Sequence, residues 1–192
     1  MSLKSSYKQN SLNFGHIFQF LVGLQRPKVI VEFGILEGFS LYNFVLAGAE
    51  MSVPPSITAY DIFDEFIGNH ASPEIKEKFK EHPNVVIKKG DFFEVYKEIP
   101  DFSIDILHVD IANDGRVYEF AVNNYMRKLA PKGIMILEGG SKQRDEVAWM
   151  KKYEKVKITD FLKRSAELDF DYITMEAFPS VTIIRRKLEG TA

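Results

Sequence analysis

VIVEFGILEGFS, residues 29–40, joins a β-branched apolar run to a glycine-bearing turn and then to a segment of helical character. A continuous run of this kind marks a strand covered on both faces. The turn after it stands where nucleotide-binding α/β folds hold their ligand, but its glycines do not fit the dinucleotide fingerprint. That pattern, G-x-G-x-x-G, needs its middle glycine so that backbone can approach pyrophosphate. Counting from Gly34, the middle position is Leu36 and the last is Phe39, both bulky. Glu32 and Glu37 add negative charge where phosphates would lie. The turn thus disfavours NAD and FAD, and with them an NAD-linked reductase. No Gly-Lys-Ser/Thr follows, so it is not a P-loop either.

Outward from this stretch the pattern alternates. Upstream, the spacing of Phe14, Ile17, Phe18, Phe20, Leu21 and Leu24 predicts a helix over 11–25, with Ser11 as N-cap and Pro27 closing the segment. Downstream, a helix from Gly38 to about Ala47 leads through Pro54-Pro55 to the strand ITAYD. A charged helix begins at Ser72-Pro73, then come the strand NVVIKKGD and the short helix FFEVYKEI. IDILHVD is a fourth strand, followed by a long helix from about Arg116 to Leu129. GIMILEGG is the fifth strand, and a Lys- and Glu-rich helix follows around Trp149. FDYITMEAF and SVTIIRRK flank Pro179-Ser180 as an antiparallel pair. The expected fold is α/β: a doubly wound, Rossmann-like, mostly parallel seven-stranded sheet with an antiparallel C-terminal hairpin and helices on both faces. No repeat or linker interrupts it, so one domain is expected over 1–192, with an N-terminal helical segment at 1–27 and the core at 28–187.

Composition removes several chemistries. The chain of 192 residues contains no cysteine, which excludes a thiolate nucleophile, a disulfide and a thiolate zinc site. The net charge of −2 offers no footprint for nucleic acid. The apolar stretch IFQFLVGL is too short to span a membrane, and MSLKSSYKQNS lacks an apolar signal-peptide core. A soluble cytoplasmic protein acting on a small molecule, without nucleic-acid or membrane partners, is the expectation.

Ligands of doubly wound folds bind beyond the carboxyl ends of the strands. Here those ends carry Glu32 and Gly34, Asp61, Gly90-Asp91, Asp110 and Glu138. A ligand with an ammonium and a sulfonium but no phosphate suits such a set, and S-adenosylmethionine is one. Helix-start amides and Ser40 can serve its carboxylate. Asp61 stands where an acid meets a ribose diol, and Asp91 can accept from the adenine amino group while Phe92 packs on the ring.

The ordered set E-x-G-x-x-x-G-x-S at Glu32, Gly34, Gly38 and Ser40, then AYD, KKGDFF, ILHVD and LAPKGIMILEGG, resembles the class I S-adenosylmethionine-dependent methyltransferases. Within them it is most similar to the small O-methyltransferase branch of catechol and macrocin-type enzymes. The resemblance spans about Phe14 to Lys187. It implies that Glu32 and Gly34 lie at the methionine end of the cofactor and Ser40 at its carboxylate, with Gly38 also among the cofactor-binding residues. It places Asp61 on the ribose, Gly90 and Asp91 at the adenine, and Ile62 and Phe63 against the ring or in the core.

Metal-dependent relatives hold a divalent cation with an Asp after the fourth strand and an Asp-Asn pair after the fifth. Asp110 matches the first; Glu138 and Gly139 replace the pair, and the lysine expected beyond Asp110 is absent. Two readings stand. Asp110, Asp114 and Glu138 make an oxygen-rich site for magnesium. Alternatively, Asp110 touches the cofactor's methionine end, Asn113-Asp114-Gly115 is a turn, and Glu138 faces substrate. Asp110, Asp114, Glu138 and His108 are the candidate general bases, with a hydrogen-bonded core role as the alternative for His108. Arg144, Trp149 and Tyr118 lie on segments placed to roof the pocket; an Arg144 role would suit an anionic or sugar acceptor. The expected activity is O-methylation of a sugar or phenolic molecule, by a possible homodimer as in relatives. The rival readings are a cofactor-binding domain without methyl transfer, and a nucleic-acid or protein methyltransferase on the same fold.

Overall fold

The computed structural model describes residues 3, 5–8, 13–63 and 72–187. The strands are β1 Val29–Phe33, β2 Ser56–Asp61, β3 Val85–Lys89, β4 Ile104–Val109, β5 Leu129–Glu138, β6 Phe170–Met175 and β7 Val181–Arg186. They form one seven-stranded sheet in the order β3-β2-β1-β4-β5-β7-β6. The first five strands pair in parallel, and β7 runs antiparallel between β5 and β6. The chain steps outward from β1 to β3 and then restarts on the other side of β1 with β4. The carboxyl ends of β1 and β4 therefore flank the point where strand order reverses, which is where such sheets bind ligands.

Two apolar layers cover the sheet, and the pleat sorts residues between them. Ile30, Ile106, Ile134 and Ile136 face the layer built with α1 Phe14–Gln25 and α2 Phe39–Ala49. Val31, Phe33, Leu107, Val109, Met135 and Leu137 face the opposite layer, which holds Phe92, Tyr118 and Phe161. Glu32, His108 and Glu138 fall in step with the first set, so the polar strand ends share the α1/α2 side. Glu32 and His108 are also direct register partners on β1 and β4.

Local structure departs from the sequence pattern in three places. Asn13 caps α1, its side chain accepting from the Gly15 amide at 3.0 Å, whereas the expected cap, Ser11, lies outside the described residues. The long helix expected from Arg116 to Leu129 is α5 Gly115–Phe120, then a π-helical turn Ala121–Tyr125 and a 3-10 turn Met126–Lys128; Leu129 already opens β5. Tyr125 ties this irregular stretch to the core, stacking on Phe92 and donating its hydroxyl to the Phe92 carbonyl at 2.7 Å. The helix expected around Trp149 is three short ones: α6 Lys142–Asp145, α7 Ala148–Lys152 and α8 Ile158–Leu162. Asp145 closes α6 and accepts from the Ile158 and Thr159 amides that open α8, which ends one helix and starts another with a single carboxylate. Of the two remaining helices, α3 Ser72–Phe79 begins where the sequence pattern expects and packs against β3, while α4 Phe92–Val95 stops four residues short of the expected FFEVYKEI helix. No helix among the described residues is long and apolar enough to cross a membrane.

Candidate active site

Gly34 leaves β1 with φ of 88° and Gly38 opens α2 with φ of 82°, both in the left-handed region. At Gly34 the conformation is compounded by contact, since a Cβ there would lie 1.9 Å from the Asp110 carbonyl oxygen. The first loop and the loop after β4 thus touch backbone to backbone, and no side chain fits between them.

Beneath that contact lies a buried polar chain. Glu32 is fully enclosed, and its Oε1 accepts from the Ser40 hydroxyl and faces His108 Nδ1 at 2.9 Å. His108 Nε2 meets the Tyr7 hydroxyl at 3.2 Å. A neutral imidazole with its proton on Nδ1 satisfies both contacts, donating to Glu32 and accepting from Tyr7. Asp110 lies close enough to the Tyr7 hydroxyl for the two groups to shift each other's pKa. Tyr7 comes from the 3-10 turn Ser6–Lys8, and its ring packs on Phe14, Phe18 and Phe39. Sequence reasoning missed Tyr7 altogether; its signal, an aromatic in a polar N-terminal stretch, has no periodicity to reveal it. Burial, then the neighbouring carboxylates Asp110, Glu138 and Glu32, push its pKa well above the usual tyrosine range. The second Glu32 oxygen, Oε2, is buried with no partner.

The cofactor candidates further along the sheet are held mainly by backbone. Asp61 is buried, with Oδ2 accepting from the Ile35 amide at 2.8 Å and Oδ1 from the Phe63 amide at 2.8 Å. The acid at the end of β2 thereby clamps the Gly34 turn. Gly90 donates its amide to the Asp61 carbonyl at 3.0 Å, and Asp91 is exposed as the N-cap of α4, accepting from the Phe93 amide. Phe92 is buried among Phe33, Phe93, Phe120 and Tyr125, with one ring face stacked on Tyr125. Phe63 is buried as well, while Ile62 is only partly so. Phe92 therefore belongs to the core, not to an open ring-binding surface, because the aromatic cluster between β1 and α5 encloses it.

Around β4 and β5 the four candidate bases are separated by their partners. Asp114 caps α5, one oxygen accepting from the Arg116 and Val117 amides at 2.9 and 3.0 Å, and Lys155 approaches the other at 3.5 Å. It serves the helix. Glu138 is buried and gripped at both oxygens by Arg144, whose Nε and Nη2 lie at 2.5 and 2.9 Å. Burial pushes Glu138 up to about 7, with Arg144 pulling it down and Asp110 adding to the rise. His108 is locked inside the chain already described. Asp110 alone among the four is partly exposed, and burial raises its pKa against the opposing effects of His108, Tyr7 and Arg144.

These partners also decide the cation question. Asp114 is engaged by a helix start and Glu138 by a guanidinium, so their oxygens are already committed. Among the described residues no group of three or more His, Asp or Glu side chains is arranged to hold a metal. A divalent ion does not fit the residues present. Tyr118 and Arg144 fare differently as roofing residues. Tyr118 is fully buried and donates to the β5 carbonyls of Leu137 and Glu138, a core anchor. The Arg144 guanidinium stacks on the partly exposed Trp149 ring at 4.9 Å.

A family model described as a methyltransferase domain matches residues 31–138, more than half of the chain and the whole span from the Glu32 turn to Glu138. The chain is 29% identical over 132 residues to the uncharacterized protein y4gI of Sinorhizobium fredii, an alignment covering 65% of this chain and 14% of that protein. It thus spans only a small part of that relative's length. Among solved structures, the Podospora anserina methyltransferase PaMTH1 with S-adenosylhomocysteine bound superposes with a TM-score of 0.67 at 20% identity, covering 94% of this chain and 81% of that one. The O-methyltransferase TomG of Streptomyces achromogenes, in complex with S-adenosylmethionine, gives 0.64 at 13%, covering 93% and 82%. A methyltransferase from Geobacter sulfurreducens gives 0.64 at 18%, covering 93% and 80%. At such identities the structural likeness shows the fold, and it is the Rossmann-like methyltransferase fold. Together with the match over residues 31–138, this places the chain in the methyltransferase-domain family.

Proposed function

We propose that the protein transfers a methyl group from S-adenosylmethionine to an oxygen of a small sugar or phenolic molecule. The observation that carries the cofactor is Glu32: a buried carboxylate beside the Gly34 turn, with one oxygen fully engaged and the other unpartnered. A buried unpaired carboxylate oxygen is costly, and an ammonium group is the complement it lacks. The α2 N-terminus, opened by Gly38, offers free amides to a carboxylate, and Ser40 stands in its first turn. Asp61, at the end of β2 with its oxygens on the Ile35 and Phe63 amides, is the ribose acid in this reading. Gly90, Asp91 and Ile62 border the adenine end in this reading.

S-adenosylmethionine, when bound, supplies an electrophilic methyl group on a sulfonium. The chain's own part is alignment and removal of the acceptor proton. Asp110 is the group for the second task. It is the only partly exposed member of the four candidates, its carbonyl stands against the Gly34 turn, and its raised pKa makes it a better base than an ordinary aspartate. Titrating the protein calorimetrically with S-adenosylhomocysteine tests the cofactor assignment. Glu32→Gln, which keeps the oxygen facing Ser40 and His108, is expected to weaken binding about tenfold or more, and Asp61→Ala similarly. Unchanged affinity in both variants would remove the assignment. Transfer of a labelled methyl group to any member of a broad acceptor panel separates an enzyme from a cofactor-binding domain.

A further inference from the structure

We propose that Arg144 and Asn113 read the methyl acceptor, and that they select an uncharged molecule presenting an oxygen beside an N–H or O–H group. The proposal rests on the methyltransferase reading above and adds a subsite to it. Both side chains are buried, Asn113 wholly and Arg144 to 5% exposure. Each carries one polar atom without a partner, Arg144 Nη1 and Asn113 Oδ1. One is a donor and the other an acceptor.

Their surroundings fix both groups. Asn113 Nδ2 donates to the carbonyls of Val109 and Glu138, each at 2.9 Å, which sets the amide's orientation and leaves Oδ1 facing away from those bonds. Arg144 uses Nε and Nη2 on Glu138, and Nη2 also reaches the Asn113 carbonyl at 3.2 Å. Nη1 is what remains of the fork. The two unpartnered atoms thus belong to residues in direct contact, the Arg144 guanidinium on the Asn113 carbonyl, with Asn113 three residues beyond Asp110 and Arg144 six beyond Glu138. Groups held this rigidly reject a ligand that leaves them unpaired, because buried polar atoms are then stripped of water without compensation.

Charge narrows the ligand further. Arg144 is already paired with Glu138, and Asp110 adds a negative group nearby. The subsite therefore has a donor without a net positive field, so an anionic acceptor gains little from it. The guanidinium stands where a divalent ion does not fit, and it directs the acceptor by hydrogen bonding instead.

Three small probes separate these features on the full chain without cofactor: salicylamide, salicylate and phenol, each followed by saturation-transfer NMR and calorimetry. Salicylamide offers an uncharged oxygen beside donors, salicylate is anionic, and phenol lacks the neighbouring group. Salicylamide is expected to bind about tenfold or more tightly than either of the others. Arg144→Lys keeps a charge for Glu138 but removes Nη1, and should bring the three affinities within about threefold. Asn113→Ser, read in parallel, should do the same, so a variant that fails to fold leaves the other to decide. Equal affinities in the unsubstituted protein, as expected if a water alone bridges the two atoms, would overturn the proposal. So would a preference that survives in the folded variants, or Mn²⁺ binding that displaces salicylamide. Titration with S-adenosylhomocysteine on the same samples reads the cofactor assignment independently.

Discussion

Glu138, His108, Asp114 and Asp110 are all acids or bases near the same strand ends, and only their partners tell them apart. A carboxylate held by helix amides is stabilised as a fixed charge, whereas one raised by burial is poised to take a proton. Burial raises both Glu138 and Asp110, but both Glu138 oxygens are held by Arg144, which leaves Asp110 as the group open to a substrate proton. The sign of its effect on stability follows directly. Because its folded pKa lies above the ordinary value of 3.8, its folded state holds the proton more tightly than the unfolded chain. Its contribution favours folding at low pH and is lost as pH rises through the folded pKa. Asp110→Asn is accordingly expected to raise the melting temperature at neutral pH, with the gain fading as pH falls toward 3.8. Methyl transfer by the same variant should drop about a hundredfold or more if Asp110 is the base. Thermal melts across pH, set beside turnover, check both; a variant no more stable at neutral pH would contradict the burial argument.

At the scale of the element, Asp114 shows how a motif can be chemically apt and structurally committed. The run Asn113-Asp114-Gly115 was open to two readings, a ligand or a turn, and the structure makes it the N-cap of α5. Asn caps as well as Asp, so Asp114→Asn should leave stability and turnover nearly unchanged, while Asp114→Ala costs about 1–2 kcal/mol in urea unfolding. A large loss of turnover in the folded Asn variant would restore Asp114 to the chemistry. The same comparison shows what the residue pattern can and cannot convey. Strands buried on both faces announce themselves as apolar runs, and so the sheet and its hairpin were legible. That Glu32, His108 and Glu138 share one face was not legible, because the pleat sorts residues within a strand and the register between strands comes only with the fold. Helix continuity was not legible past Phe120 or Asp145, because those breaks depend on Tyr125 finding Phe92 and on Asp145 finding the Ile158 amide. The Arg144–Glu138 grip was hidden for a similar reason: a Lys- and Glu-rich segment reads as a solvated helix until its one buried arginine is seen.

Across the whole molecule, the buried chain from Tyr7 through His108 to Glu32 connects the N-terminal turn to the end of β1, a link between sequence-distant segments that ends on the proposed cofactor carboxylate. A ligand that engages Glu32 also restrains the His108 ring on its other oxygen, and the ring in turn orders the Tyr7 hydroxyl. Binding should therefore stabilise two separate stretches, the Gly34–Ser40 turn directly and Ser5–Lys8 through the chain. Hydrogen exchange measured with and without S-adenosylhomocysteine is expected to show slower exchange in both. Tyr7→Phe keeps the ring packed on Phe14, Phe18 and Phe39 but deletes the hydroxyl, with a stability loss of about 1 kcal/mol. In that variant the turn should still gain protection from the ligand while Ser5–Lys8 gains much less. Apolar packing alone would protect both stretches equally in the two proteins, so an unaltered pattern in Tyr7→Phe would show that the hydroxyl carries no coupling.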